Sequence, residues 1–361
     1  MKIGFDARYI RWDHHDGISR FSSGLAGELA PLAQQRGHEL VFIISDERQR
    51  EFLPPAPCLT ATAPTSPREP GIARRLRNDD FDVVFSPMQT MGTRGRNYRV
   101  VLTVHDLIYY RHRTPPPQFA WPLRLLWRLY HLTWAPQRLL LRRADAVVAV
   151  SATTAALIAE HHLTPGPVFV VPNAADPDVS GARDLPESQR ERDAVYMGSF
   201  MPYKNVETLV RAFNELPDWR LHLLSRIDDR TRERLTRLAP RAQLVFHDGT
   251  PEAEYHALLG SARVLVTASR DEGFGIPLVE AMSHGTPVVV SDIPIFHEVC
   301  DSAAIFVDPD NASEFRDAIL DLSGARAWRE LSTRASARAK EFSWKRSAAA
   351  LLDVLERTAD A

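Results

Sequence analysis

The alternation of short apolar runs with longer stretches of helical periodicity limits the folds that are open to this chain. Such alternation is typical of βα units and predicts parallel sheets covered by helices. Two similar series predict two doubly wound α/β domains rather than one large sheet. The candidate strands of the first series are residues 3–5, 40–44, 83–85, 100–104, 146–150 and 168–171. Those of the second series are residues 194–197, 220–224, 244–246, 264–268, 288–290 and 305–307.

A polar, proline-containing stretch separates the two series. Residues 172–177 and the polar segment that follows them to residue 192 have the composition of a linker. We therefore predict an N-terminal domain over residues 1–174 and a C-terminal domain over residues 190–341. A second stretch, residues 54–70, is rich in Pro, Thr and Ala and is predicted to be a mobile surface loop.

Length, charge and cysteine usage exclude several classes of protein. The 361 residues suffice for two domains that each bury a core. A net charge of -2 and a pI near 6.7 argue against a dedicated nucleic-acid-binding protein. Cys58 and Cys300 lie far apart without metal-ligand spacing, which predicts free thiols in a reducing compartment. The first residues do not resemble a signal peptide, and no apolar run reaches membrane-spanning length, so we expect a cytoplasmic protein.

The segment 270–282 is the motif that says most about function. Its two glycines let the backbone approach a ligand closely, while Pro277 and Gly285 mark the start and the end of a helix. A strand, a glycine loop and a helix N-terminus present N–H groups to an anion such as phosphate. Glu272 and Glu280 flank this pocket. Carboxylates repel phosphate, so they should bind neutral hydroxyls. A nucleotide sugar supplies both the phosphates and the hydroxyls. The alternative interpretation is a glycine-rich turn with two solvated glutamates.

With this motif in view, the chain resembles the family 4 glycosyltransferases of the GT-B fold, in particular the bacterial mannosyltransferases that build lipopolysaccharide and other envelope glycans. The resemblance implies two Rossmann-like domains that face a central cleft, and a C-terminal helix, 342–358, that crosses back to the first domain. The stretch from Glu272 to Glu280 and the Pro-x-Lys-Asn turn at 202–205 are its most specific parts. The other matching segments are 103–107, 148–151, 170–173, 198–205, 285–288 and 342–344.

The resemblance also implies the roles of residues in the C-terminal domain. Glu280 would hold the ribose hydroxyls of the donor, and Lys204 would neutralise the diphosphate leaving group. Glu272 would hold the donor hexose together with the loop amides, which also contact the diphosphate. These amides belong to Gly273, Phe274, Gly275 and Ile276. Lysine is a compact charge suited to phosphate, and such a cation acts mainly in the transition state.

In the N-terminal domain, the resemblance places His105 beneath the donor sugar. There it could serve as a hydrogen-bond donor without proton transfer. Gly17 would let a second backbone segment approach the phosphate.

The chain departs from the family pattern beside Lys204. Family members usually carry an arginine just after the glycine or just before the lysine, where this chain has Ser199 and Tyr203. Ser199 remains a candidate donor-binding residue. Arg226, just past a candidate strand, could supply the missing charge.

The resemblance implies a retaining enzyme that moves a hexose, with mannose from GDP-mannose favoured, to an envelope glycan or a lipid-linked acceptor. No protein nucleophile, cofactor or metal is expected. Asp80 and Asp82 imitate a metal-binding D-x-D motif, but they lie at the entry of a strand, away from the carboxyl ends. The alternatives are a nucleotide-sugar 2-epimerase of the same fold and a non-catalytic nucleotide-sugar-binding protein.

One segment, residues 118–143, interleaves aromatic side chains with arginines in a helical pattern. This pattern suits peripheral association with an anionic membrane surface. It suits equally a helix that faces the core and presents a solvated basic stripe.

Overall fold

A computed structural model describes residues 1–12, 17–116, 119–175 and 185–361. The chain divides into two compact units. Unit 1 comprises Met1–Asp176 and Ser343–Ala361, and unit 2 comprises Pro177–Phe342. Among the described residues, no helix is long and apolar enough to cross a membrane.

Unit 1 contains a seven-stranded parallel sheet with the strand order β3-β2-β1-β4-β5-β6-β7. Its strands are β1 Lys2–Asp6, β2 Glu39–Ile44, β3 Cys58–Thr60, β4 Val83–Ser86, β5 Arg99–Val104, β6 Ala146–Ala149 and β7 Val168–Val170. Its helices before residue 176 are α1 Gly17–Gln35, α2 Ile72–Leu76, α3 Ile108–Arg111, α4 Trp121–Tyr130, α5 Ala135–Leu141 and α6 Ala152–Glu160.

Unit 2 contains a six-stranded parallel sheet with the order β10-β9-β8-β11-β12-β13. Its strands are β8 Asp193–Tyr196, β9 Arg220–Leu223, β10 Gln243–Phe246, β11 Val264–Thr267, β12 Val288–Ser291 and β13 Ala304–Val307. Its helices are α7 Val206–Phe213, α8 Asp229–Leu238, α9 Glu252–Ser261, α10 Ile276–Ser283, α11 Pro294–Cys300, α12 Ala312–Asp321 and α13 Ala325–Ala339.

The last helix, α14 Trp344–Ala359, belongs to unit 1 and packs on α1. The Trp344 ring lies against the backbone of Gly24 in α1, and a Cβ added there would be 2.3 Å from the ring. Glycine is therefore required at this contact, because any side chain would push the two helices apart.

The twelve predicted strands are confirmed, and the structure adds one that was missed. The prediction of a single mobile loop over residues 54–70 is wrong, because β3 pairs with β2 and Glu69 is buried. The reason is Arg8, whose side chain is fully buried and needs counter-charges. Arg8 Nε donates to Asp6 at 2.7 Å, and Arg8 Nη1 donates to Glu69 at 2.6 Å.

Candidate active site

Three predicted site residues of unit 2 follow strands that are neighbours in the sheet. Lys204 lies beyond β8, Arg226 beyond β9 and Glu272 beyond β11, and these strands are ordered β9-β8-β11. The strands are parallel, so their carboxyl ends meet at one edge of the sheet. This is the edge at which doubly wound sheets bind ligands.

Lys204 and Glu272 form a direct ion pair. Lys204 Nζ lies 2.6 Å from Glu272 Oε1, and both side chains are largely buried, at 16% and 14% exposure. The same oxygen accepts a hydrogen bond from Ser269 Oγ at 2.8 Å. An ammonium has three N–H groups, so this bond to Glu272 still allows Lys204 to donate to a ligand.

The turn that carries Lys204 is held by its neighbours. Asn205 adopts a left-handed conformation with φ 52°, which asparagine tolerates better than most residues, and α7 begins directly after it. The Asn205 side chain donates to the carbonyl of Pro309 at 2.6 Å. The backbone N–H of Arg270 donates to the carbonyl of Tyr203 at 2.8 Å, which ties this turn to the loop after β11. The conformation and the side-chain bond explain the asparagine at position 205.

The segment after β8 leaves little space for a side chain. A Cβ on Gly198 would lie 2.8 Å from the Tyr196 hydroxyl oxygen, and that hydroxyl donates to the carbonyl of Ser199 at 2.7 Å. Burial, together with the nearby Glu272 carboxylate, raises the pKa of Tyr196 well above its ordinary value. Tyr196 therefore remains a neutral donor, and the Ser199 side chain is exposed.

The glycine loop leads into α10 as the sequence predicts. Gly275 caps the helix with φ 97°, a conformation that favours glycine, and Gly285 follows its end with φ 64°. Phe274 is buried and packs edge-on against Phe342, with ring centroids 5.6 Å apart. The Phe274 side chain therefore anchors the loop, which leaves its backbone as the part suited to a ligand.

Glu280 lies in α10 and is 2% exposed. Its Oε2 accepts a hydrogen bond from the hydroxyl of Tyr255, in α9, at 2.5 Å. Of the two predicted glutamates, Glu280 is thus the more deeply buried and has its own phenolic partner.

Arg226 is exposed and forms no ion pair with any residue that the structure describes. Its side chain passes over Gly249, where a Cβ would lie 3.2 Å from Arg226 Cγ. Gly249 has φ 101°, so this position also favours glycine.

In unit 1, His105 follows β5 and Gly17 begins α1. His105 Nε2 lies 2.7 Å from the carbonyl of Pro87, which can only accept, so this nitrogen carries the proton. That bond occupies Nε2, so the role of His105 toward a donor sugar stays a prediction. The His105 ring packs edge-on against Phe21 of α1 at 4.9 Å. Gly17 was expected in a loop over residues 16–19; residue 16 lies outside the described residues, and Gly17 is the first residue of α1.

The aromatic and basic segment forms two helices, α4 and α5. No residue of α4 is buried, and Trp121 and Leu126 are 77% and 62% exposed. The interpretation of a core-facing helix is therefore wrong for α4. Trp127 packs edge-on against Tyr109 at 5.1 Å, so the helix is attached to unit 1 through its other face.

Asp80 and Asp82 precede β4, away from the carboxyl ends. The carboxylate of Asp82 accepts the backbone N–H of Lys2 at 2.6 Å. In the described part of the chain, no group of three or more His, Cys, Asp or Glu side chains could hold a metal ion.

Sequence reasoning missed Tyr255 and Ser269, which both bond to the predicted glutamates. Tyr255 lies in α9, outside every motif that the sequence analysis singled out, and resembles a core residue. Ser269 stands three residues before Glu272, just past the end of β11. A hydroxyl residue at that spacing is the sequence feature that could have identified it.

Two family models match consecutive parts of the chain. The model described as Glycosyltransferase Family 4 matches residues 22–179. The model described as Glycosyl transferases group 1 matches residues 182–342, which include Lys204, Glu272 and Glu280. The chain belongs to glycosyltransferase family 4.

This family 4 chain is similar to several mannosyltransferases. O-antigen chain mannosyltransferase B of Escherichia coli is 34% identical over 161 residues, 42% of each chain. MMP alpha-(1->4)-mannosyltransferase of Mycolicibacterium hassiacum is 28% identical over 298 residues, 78% of this chain and 72% of that protein. GDP-mannose:cellobiosyl-diphosphopolyprenol alpha-mannosyltransferase of Xanthomonas oryzae is 31% identical over 160 residues, 42% of this chain and 41% of that protein. Two of these three matches thus span less than half of the relative.

Solved structures share the fold of this family 4 chain over nearly its whole length. Sucrose-phosphate synthase from Thermosynechococcus elongatus has a TM-score of 0.74 at 19% identity, covering 99% of this chain and 98% of that one. HepE from Anabaena, in complex with UDP and glucose, has a TM-score of 0.72 at 15% identity, covering 99% of each chain. The predicted GT-B fold is confirmed.

Proposed function

We propose that this protein is a retaining glycosyltransferase that moves a hexose from a nucleotide sugar, with mannose from GDP-mannose as the favoured donor. The observation that carries the proposal is the Lys204–Glu272 pair, which lies in the loops after β8 and β11 at the ligand-binding edge of the unit 2 sheet. The names of the similar mannosyltransferases support mannose, and one of them supports GDP-mannose.

Lys204 is proposed to stabilise the diphosphate as it leaves. Negative charge grows on the β-phosphate as the glycosidic bond breaks, so a positioned cation stabilises the transition state more than the bound donor. Arg226, on the neighbouring strand end, is proposed to supply a second charge, and Ser199 to contact the donor beside it. The backbone N–H groups of the loop add uncharged donors; they belong to Gly273, Phe274, Gly275 and Ile276.

The hydroxyl groups of the donor suit the acceptor-only side chains. An ionised carboxylate can only accept, so Glu272 is proposed to bind hexose hydroxyls and Glu280 the ribose hydroxyls. His105 is proposed to lie beneath the donor sugar and to contact it. Gly17, at the start of α1, is proposed to let the backbone there approach a phosphate closely. The leaving phosphate would take the proton of the acceptor, so front-face displacement needs no protein nucleophile.

The acceptor is proposed to be an envelope glycan or a lipid-linked glycan, reached at the inner face of the plasma membrane by a cytoplasmic protein. The supporting observation is α4, whose Trp121, Leu125 and Leu129 are exposed at i, i+4 spacing and share one face. The sequence from 107 to 144 contains no acidic residue and seven arginines. Exposed apolar side chains beside arginines suit an anionic lipid surface.

A transfer assay distinguishes this proposal from its competitors. Radiolabelled mannose from GDP-mannose should enter a lipid-extractable glycan when the protein is mixed with bacterial membranes. Conversion of the free nucleotide sugar to its 2-epimer would favour the epimerase. Binding of GDP-mannose with neither transfer nor slow hydrolysis would favour the non-catalytic binding protein.

A further inference from the structure

We propose that Tyr255 is a positioning residue for Glu280, and that it makes the site selective for ribonucleotides over nucleotides that lack ribose hydroxyls. This inference rests on the proposed function, because it assumes that Glu280 accepts hydrogen bonds from the ribose.

The geometry places the phenol directly on the carboxylate. Tyr255 lies in the first turn of α9 and is 1% exposed, and its hydroxyl donates to Glu280 Oε2 at 2.5 Å. Glu280 lies in the following helix, α10, and is 2% exposed. A hydrogen bond to an ionised carboxylate is short and about twice as strong as a neutral one. It therefore restricts Glu280 to one rotamer before any ligand binds.

Preorganisation of this kind matters for affinity. A glutamate side chain that is free to rotate must lose that freedom when it binds a hydroxyl, and this loss weakens binding. The bond to Tyr255 removes most of that cost. It also fixes the direction in which the carboxylate faces a ligand.

The same two helices supply a matched control. His256, beside Tyr255 in α9, contacts His284 just past the end of α10, with Nδ1 and Nε2 2.9 Å apart. Both rings are buried, at 1% and 4% exposure. His256→Gln changes the packing of the same helix pair without removing the bond to Glu280. A loss caused only by disturbed packing would therefore appear in this variant as well.

The experiment compares ribonucleotides with dideoxynucleotides by calorimetry. Whichever of GDP, UDP and ADP binds wild type most tightly is titrated beside its 2′,3′-dideoxy analogue. Wild type should prefer the ribonucleotide by about tenfold or more, as expected for hydrogen bonds to a charged group. Tyr255→Phe should lose most of that preference through weaker ribonucleotide binding, while its affinity for the dideoxy analogue stays unchanged. His256→Gln should keep the preference.

Two further variants make the test decisive. Tyr255→Gln retains an N–H donor and should recover part of the preference, which also covers a failure of Tyr255→Phe to fold. Tyr255→Phe should have no effect in a Glu280→Gln background, because the partner is already altered. The inference is overturned if Tyr255→Phe keeps the full preference or weakens both nucleotides alike. If wild type binds a nucleoside diphosphate without any ribose preference, the role of Glu280 is wrong; if it binds none of the three, the proposed function itself fails.

Discussion

At the scale of single residues, the pair formed by Lys204 and Glu272 fits a functional role better than a stabilising one. A largely buried ion pair is weak evidence for stability, because removing two charges from water offsets most of their attraction. Its position at the ligand edge of the sheet, between loops from neighbouring strands, fits instead a cation held ready for a diphosphate.

Lys204→Ala should lower turnover on the order of a hundredfold or more, since it removes the positioned cation from the leaving group. Lys204→Arg should keep some activity because charge survives, and Tyr203→Arg should partly restore Lys204→Ala. Steady-state kinetics measure this, and Lys345→Ala, at an exposed lysine of α14, is the matched control. If Lys204→Ala retains most of its turnover, another group holds the diphosphate, and Arg226 is the first residue to test.

Substitutions of the two glutamates should change different kinetic constants. Glu280→Gln should chiefly raise the KM for the donor, because ribose contacts are present in ground and transition states alike. Glu272→Ala should chiefly lower kcat, because it releases both the hexose and Lys204 from their productive positions. Equal loss of donor affinity in both variants, with kcat intact, would contradict this division of roles.

At the scale of elements, the proposed membrane association depends on α4, in which no residue is buried. We expect the protein to float with liposomes that contain anionic lipid at low salt. Replacing Arg124, Arg128 and Arg142 by glutamate should release it, because like charges then repel. Arg138 is left unchanged, since it donates to the carbonyl of His161.

The control carries the same charge change on another face. Glutamate at Arg329, Arg334 and Lys340, exposed in and after α13, should leave flotation intact. Failure of wild type to float would point to a soluble acceptor. Equal release of both triple variants would mean that net charge, rather than α4, controls association.

Sequence patterns predicted the elements that have strong periodicity. They failed where a charged residue that is distant in the sequence orders a segment. The strand β3 has three residues in a Pro-rich stretch, too few to show alternation, and it is ordered because Glu69 must reach the buried Arg8. The basic stretch from 118 to 143 left two interpretations open, because periodicity does not say which face meets the core. The contact of Trp127 with Tyr109 shows which face of α4 packs on unit 1.

Motif positions point to candidate site residues but not to the side chains that they contact. Lys204 and Glu272 were assigned separately to diphosphate and hexose, although 68 positions separate them and the fold pairs them directly. The contact of His105 Nε2 with the carbonyl of Pro87 is likewise visible only in the fold. Such pairings depend on which strands become neighbours, which no local pattern contains.

At the scale of the whole molecule, we expect transfer without a metal ion. Lys204 and the loop N–H groups are proposed to meet the charge of the diphosphate, a task that a divalent ion performs in other enzymes. Activity should therefore persist in excess EDTA. An absolute requirement for manganese or magnesium, restored on adding the ion back, would overturn the site as described.

The most direct test of the central claim is thermal unfolding of wild type and Lys204→Ala with GDP, UDP and ADP. A nucleoside diphosphate at about a hundred times its Kd should add about 2.7 kcal/mol to the free energy of unfolding of wild type. That corresponds to a rise in Tm of roughly 5 to 10 °C for a unit of this size. Lys204→Ala should lose most of this rise. Wild type that responds to none of the three nucleotides, or a variant that responds as wild type does, would contradict the account.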